Sequence, residues 1–186
     1  MLLYENYGDN INDFGTMIQT HGSGSASLYL DNENIVANVS NYGARCAFPI
    51  TPLTGLCNIE VEIDTYSNNA NLTPGFGIIF DTNNIVDLEY FPSGDGYYHK
   101  KLNGTLTRDE PILNVSNRLN QWVKWKHRIT PSSWQLTAYD ASGNYIASAT
   151  ESLTDFTFTS NTQYGIFTGW WSSGTLRWDN IKVTRL

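Results

Sequence analysis

Apolar residues recur at every second position in segment after segment of this chain, and that period decides what it can fold into. Ile59, Val61 and Ile63 alternate with Glu60, Glu62 and Asp64; Phe76, Ile78 and Phe80 alternate with Gly75, Gly77 and Ile79. Val123, Trp125, His127 and Ile129 alternate with Lys124, Lys126 and Arg128, and Tyr164, Ile166 and Thr168 with Gly165, Phe167 and Gly169. A period of two places one side of a strand in a core and the other side outside it. No stretch carries a helical period. Asn103-Gly104 between Leu102 and Thr105 is a two-residue hairpin signal, and Asp140–Asn144 joins the strands Trp134–Tyr139 and Tyr145–Thr150. Gly22-Ser23-Gly24-Ser25 reads as an exposed turn inside one domain. About a dozen short strands without crossover helices predict an all-β fold, a two-sheet antiparallel β-sandwich of jelly-roll type over residues 1–186.

One strand changes phase. Leu176 and Trp178 lie in one register and Ile181 and Val183 in the other. A strand that keeps its apolar side inward through such a slip must bulge, here at Asp179-Asn180, and a bulge re-aims a side chain.

Composition narrows the function classes. Charged residues make up 16 % of the chain, aromatics 13 %, and the net charge is −7. So many aromatics and so few charges argue against disorder, and the acidic balance argues against nucleic acid as a partner. No run approaches the eighteen or so apolar residues of a membrane span, and the opening Met1–Glu5 lacks a signal-peptide pattern. The expectation is a protein without membrane insertion, a module of a larger exported protein or a homo-oligomeric fibre. Its expected location is extracellular, at a cell surface or on a virion. Cys46 and Cys57 both fall in the inward phase, as two buried free thiols or as a disulfide.

Several segments together resemble a known family. Trp178-Asp179-Asn180-Ile181-Lys182-Val183 is similar to the closing strand of concanavalin A-like jelly-roll domains, which include laminin-G-like and carbohydrate-binding modules. The opening Tyr4-Glu5-Asn6, the strand Ile59–Asp64, Gln121–Lys126, the Asp140–Asn144 hairpin and Gly165-Ile166-Phe167 follow in the family's order. The resemblance implies a sandwich that binds glycans. It also implies a structural Ca²⁺ where the first and last strands meet, carried over here to Glu5 and Asp179. Two carboxylates with carbonyls and water suffice chemically for Ca²⁺.

Two sets of residues compete for chemistry. Glu60, Glu62 and Asp64 share one side of a strand, and glucan-cleaving members of the superfamily carry an acidic strand. This one departs from that pattern in order and spacing. Lys124, Lys126 and Arg128 form a stripe of matching period, so ion pairing between neighbouring strands accounts for both. The aromatics offer the stronger lead, because sugar rings stack on Trp and Tyr while carboxylates bind hydroxyls. Asp87, Glu89, Tyr97, Tyr98 and His99 form one strand–loop–strand group, and Trp170 and Trp171 a second. Trp122, Trp125, Trp134 and Trp178 fall to the core or its rim. The expected function is therefore a non-catalytic, lectin-like module holding a glycan through these residues. An adhesin or tail-fibre attachment domain is one alternative, and a glycoside hydrolase or lyase of the same fold is another.

Overall fold

The computed structural model describes residues 1–40, 44–170 and 174–186. Fifteen strands form two antiparallel sheets: β1 (Leu2–Asn6), β2 (Ile18–His21), β3 (Ser25–Asp31), β4 (Asn34–Ser40), β5 (Ala44–Pro49), β6 (Ile59–Ser67), β7 (Leu72–Asp81), β8 (Asn84–Tyr90), β9 (Asp95–Leu102), β10 (Thr105–Asn114), β11 (Trp122–Ile129), β12 (Ser133–Asp140), β13 (Tyr145–Ser152), β14 (Gln163–Trp170) and β15 (Gly174–Arg185). One sheet runs β13-β12-β11-β6-β15-β4-β3, with β1 added against β15; the other runs β10-β9-β8-β7-β14-β5-β2. This is the sandwich that the period-two pattern requires. Among the described residues the one helical turn, Thr51–Leu53, is a short 3₁₀ segment.

The inward phase of each sheet fills a continuous core. Ile59, Val61 and Ile63 from one sheet meet Phe76, Ile78 and Ile166 from the other, around Trp134 and Trp178. Trp122 sits half-buried at the rim, where its ring packs on Tyr66 at 5.4 Å between centroids. The Asn103-Gly104 hairpin closes β9 onto β10 with both residues at positive φ, 51° and 81°, as a type I′ turn requires.

Lys126 bonds Glu60 at 3.2 Å and Glu62 at 3.0 Å on the outer side of the eight-stranded sheet, where β11 is the direct neighbour of β6. The acidic stripe is thus half of a cross-strand ion-pair ladder, on the opposite side of the molecule from the site described below.

The slip in β15 is a bulge. Asp179 stands opposite Asp64 and Lys182 opposite Glu62, so β15 spends one residue more than β6. Asn180 takes φ 51°, and its amide donates to Asp64 Oδ2 at 2.9 Å and Asp179 Oδ2 at 3.2 Å. Before the bulge β15 pairs with β4; after it, with β1.

Both cysteines are free, Cys46 in the core and Cys57 exposed. The expected burial of Cys57 fails because Asn58 adopts φ 55°, which breaks the alternation just before β6 begins.

Candidate functional site

The outer side of the seven-stranded sheet carries a cluster that period-two alternation alone assembles. Val86, Leu88 and Tyr90 of β8 enter the core, which sends Asp87 and Glu89 outward. Tyr98 of β9 enters the core, which sends Tyr97 and His99 outward; Cys46 and Phe48 of β5 do the same for Arg45. Register then brings Asp87 opposite His99, and His99 opposite Asp109 of β10.

Although they face away from the core, these charged groups are secluded. Asp87 is 4 % exposed, Glu89 1 % and His99 2 %. His99 Nδ1 lies 2.8 Å from Asp87 Oδ2, and its Nε2 lies 3.1 Å from Asp109 Oδ1. The second contact is an ion pair too bent to be a hydrogen bond, so Nε2 keeps an unmatched donor position. Arg45 Nε reaches Glu89 Oε2 at 3.5 Å and its Nη2 reaches Asp109 Oδ2 at 3.4 Å. Burying charge costs several kcal/mol per ion unless each is paired, and a network of this kind on a sheet's outer side points to function.

The electrostatics separate Glu89 from Asp109. Burial opposes protonation of His99, but the Asp87 charge and the other carboxyl groups around the ring, Asp109 among them, outweigh it and hold the ring protonated, with a pKa of about 10. The imidazolium in turn holds Asp109 down to about 2, assisted by Arg45 against partial burial. Glu89 moves the other way: burial raises its pKa well above the usual carboxylate range, Asp87 adds to this, and His99, Arg45 and the Thr73 hydroxyl only partly offset it.

Local geometry agrees with a protonated Glu89. Thr73 Oγ1 lies 3.0 Å from Glu89 Oε2 and 2.8 Å from the Gly169 carbonyl oxygen. A hydroxyl has one proton, and the carbonyl can only accept. If Thr73 donates to Gly169, Glu89 must be the donor to Thr73. The other carboxylate oxygen, Oε1, is buried without a partner.

Glycines make this arrangement possible. A Cβ on Gly169 would fall 2.2 Å from Glu89 Oε2, and one on Gly77 would fall 2.7 Å from the Phe167 ring. With no side chains at these points, Glu89 and Phe167 lie flat across the sheet. Phe167 joins Ala47, Ile79 and Ile85 in a small apolar cluster of its own beside the charged one.

Of the residues expected to bind ligand, Asp87, Glu89 and His99 come together, and Tyr97 stands half-buried next to His99, their ring centroids 6.3 Å apart. Tyr98 points the opposite way: it is fully buried in the core and its ring lies beneath Arg108, 4.9 Å from the guanidinium carbon. Adjacent strand residues face opposite sides, so Tyr97 and Tyr98 could not share one surface. Trp171 and the Trp170 side chain lie outside the described residues. Arg45, Thr73 and Asp109 were not anticipated. The outward phase of Arg45 was readable from Cys46, whereas Asp109 depends on a register shift between Leu106 and Arg108.

The residues at the first and last strands do not fit the Ca²⁺ that the family resemblance implies. Exposed Glu5 pairs with Lys182, beyond the bulge from Asp179. The gap between Asp179 and Asp64 is bridged by the Asn180 amide, which places an N–H donor where a cation would stand. Among the described residues, Asp87, Glu89 and His99 are the one grouping with metal-ligand spacing; there His99 already donates a proton to Asp87, and Arg45 supplies the positive charge.

No protein-family model matches the chain, and no curated protein matches it. Solved structures do. A Bacillus subtilis protein of unknown function with a galectin-like fold superposes with a TM-score of 0.67 at 13 % identity, over 99 % of this chain and 96 % of that one. A laminarinase from Flavobacterium sp. UMI-01 gives 0.64 at 10 % identity with full coverage of both chains. The Crh5 transglycosylase gives 0.65 at 9 % identity, over 98 % of this chain and 83 % of that one. Two of these three are a laminarinase and a transglycosylase, which overturns the expectation of a non-catalytic module drawn from the aromatic clusters. At such identities the likeness is one of architecture, and by architecture the chain is a concanavalin A-like β-sandwich.

Proposed function

We propose that the protein is an enzyme that cleaves or transfers neutral glycans on the outer side of its seven-stranded sheet, with Glu89 as proton donor and Asp87 as nucleophile. The observation that carries this reading is the pair itself: Asp87 and Glu89 present carboxylate oxygens within 4.8 Å of each other and of His99. Retaining glycoside chemistry uses two carboxyl groups about 5–5.5 Å apart, one protonated and one ionised. A carboxyl group whose pKa is raised by burial suits the role of the acid. Asp87 is held by His99 Nδ1 at 2.8 Å, and burial favours the protonated form of Glu89.

In this scheme Glu89 gives its proton to the glycosidic oxygen as the bond to the anomeric carbon breaks. An Asp87 oxygen forms a bond to that carbon. Water or a sugar hydroxyl then displaces Asp87 and returns a proton to Glu89, so the acceptor decides between hydrolysis and transfer. The half-exposed Tyr97 ring next to His99 offers a stacking surface for a sugar. Arg45 is engaged by Asp109 and Glu89, and His99 by Asp87 and Asp109, which leaves neither free for an anionic sugar and favours neutral substrates. The shared architecture of a laminarinase and a transglycosylase supports the reading.

The test is incubation of the purified protein with laminarin, mixed-linkage β-glucan and oligosaccharide acceptors, followed by product analysis. Glu89→Gln and Asp87→Asn should abolish turnover while the proteins still melt cooperatively. Full activity in either variant would remove that residue from the chemistry.

A further inference from the structure

Strands β10 and β2 are opposite edges of the seven-stranded sheet, yet they line the same cleft. Gly104 and Leu106 approach from one edge, Thr20 and His21 from the other, around a volume of about 140 Å³. The Arg45–Asp109 contact tells the same story. β5 and β10 are separated by five strand spacings, which in a flat sheet is roughly 24 Å. Two side chains cannot span that, but these meet at 3.4 Å. The sheet is therefore rolled over its outer side, and the ion pair bridges the groove so formed.

The bridge does not stand alone. Below it Asp109 contacts His99, which contacts Asp87, and Arg45 contacts Glu89. These five side chains form a bar across the groove, and the cleft ends against it, with Arg45, Asp87 and His99 as its wall. Its volume is well below the ~300–1,000 Å³ of pockets that enclose a drug-sized ligand. A polysaccharide passing along the groove would have to break the bar, whereas a chain terminus can enter and stop there.

We infer that the cleft receives the end of a glycan chain and that the Arg45–Asp109 bridge enforces this choice over internal segments. The inference rests on the reading that this side of the sheet acts on glycans, and it adds a mode of attack to it. Asp109 is the residue to change, because its side chain is 40 % exposed and outside the core.

Wild-type protein and Asp109→Ala would be titrated calorimetrically with a panel of linear β-glucan oligosaccharides and with a cyclic β-glucan, which has no ends. Laminarin digestion would be followed in parallel by viscosity and by released sugars. Expected are binding of a linear oligosaccharide at least tenfold tighter than of the cyclic one, and release of short products with little fall in viscosity. In Asp109→Ala the preference should shrink and viscosity should fall early. Equal binding of linear and cyclic glucans, or a rapid viscosity loss with wild type, would overturn end recognition while leaving glycan cleavage intact. End-selective binding without any cleavage would support the cleft's selectivity and count against the enzymatic reading. Binding to no linear oligosaccharide would overturn both.

Discussion

The Glu89 carboxylate lies over Gly169 so closely that a β-carbon at position 169 would stand 2.2 Å from Oε2 and 2.6 Å from Thr73 Oγ1. The acid and the glycine on another strand are thus one structural unit. Gly169→Ala should displace Glu89 and break its link to Thr73. Because general acid catalysis contributes about 10²–10⁴-fold, glycan turnover should fall by at least about 100-fold. Near-UV dichroism and a melting curve would check that the sandwich persists; an active Gly169→Ala protein would refute the placement of the acid.

His99 ties stability to alkaline pH. Its folded pKa of about 10 lies above the ordinary value of about 6.5. The stabilisation is therefore complete below pH 6.5 and lost as pH rises through 10. His99→Gln should remove that dependence and destabilise the protein at neutrality by about 3–5 kcal/mol, the cost of leaving a buried charge without its partner. Urea midpoints for both proteins from pH 6 to 10 would decide it; parallel curves would count against a charged His99.

His127 works in the opposite direction. It is buried between the sheets and its Nδ1 accepts a hydrogen bond from Trp134 Nε1 at 3.1 Å, so its proton sits on Nε2. Burial lowers its pKa to about 3, and the unfolded chain takes up a proton that the folded one refuses. Stability should fall as pH drops from about 6.5 toward 3, by up to ~1.4 kcal/mol per unit. His127→Gln should flatten that slope between pH 4 and 6.5, measured by denaturant titration, and an unchanged slope would remove His127 from the account.

Arg108 ties the two sheets together at their open edge. It leaves β10 to pair with Glu151 of β13 and covers the Tyr98 ring on the way. Arg108→Ala should lower stability by about 1 kcal/mol, the scale of a partly exposed ion pair with a cation–π contact. The barred groove should keep its glycan selectivity. A loss of selectivity equal to that of Asp109→Ala would mean that the edge tie, rather than the bridge, shapes the cleft.

Much of the sandwich was legible because alternation is a local signal. The phases of Ile59–Asp64 and Val123–Ile129 gave the facing ladder of Glu60, Glu62 and Lys126, and the slip after Trp178 gave the bulge. Asp87, Glu89 and His99 were readable as a group because each sits in the outward phase of a strand next to the other. The misplacement of Tyr98 came from treating Tyr97-Tyr98 as a patch instead of applying the same alternation. Asp109 and its bridge to Arg45 were not legible, since they depend on how far a sheet rolls and on an extra residue in β10. No short window of sequence carries either. The surroundings of Asp179 were hidden for a related reason: a motif points to the carboxylate, but only the bulge geometry shows the Asn180 amide between it and Asp64.

The exchange of partners along β15 bears on how the chain assembles. Residues 2–6 have their strand neighbour in residues 181–184, and β4 and β6 also wait for β15 to lie between them. Within this domain β1 therefore stays an unsatisfied edge until β15 is in place, and the eight-stranded sheet closes in one late event. Folding dominated by such distant pairings is slow, and loss of a few residues at the end of β15 would release the beginning of the chain as well.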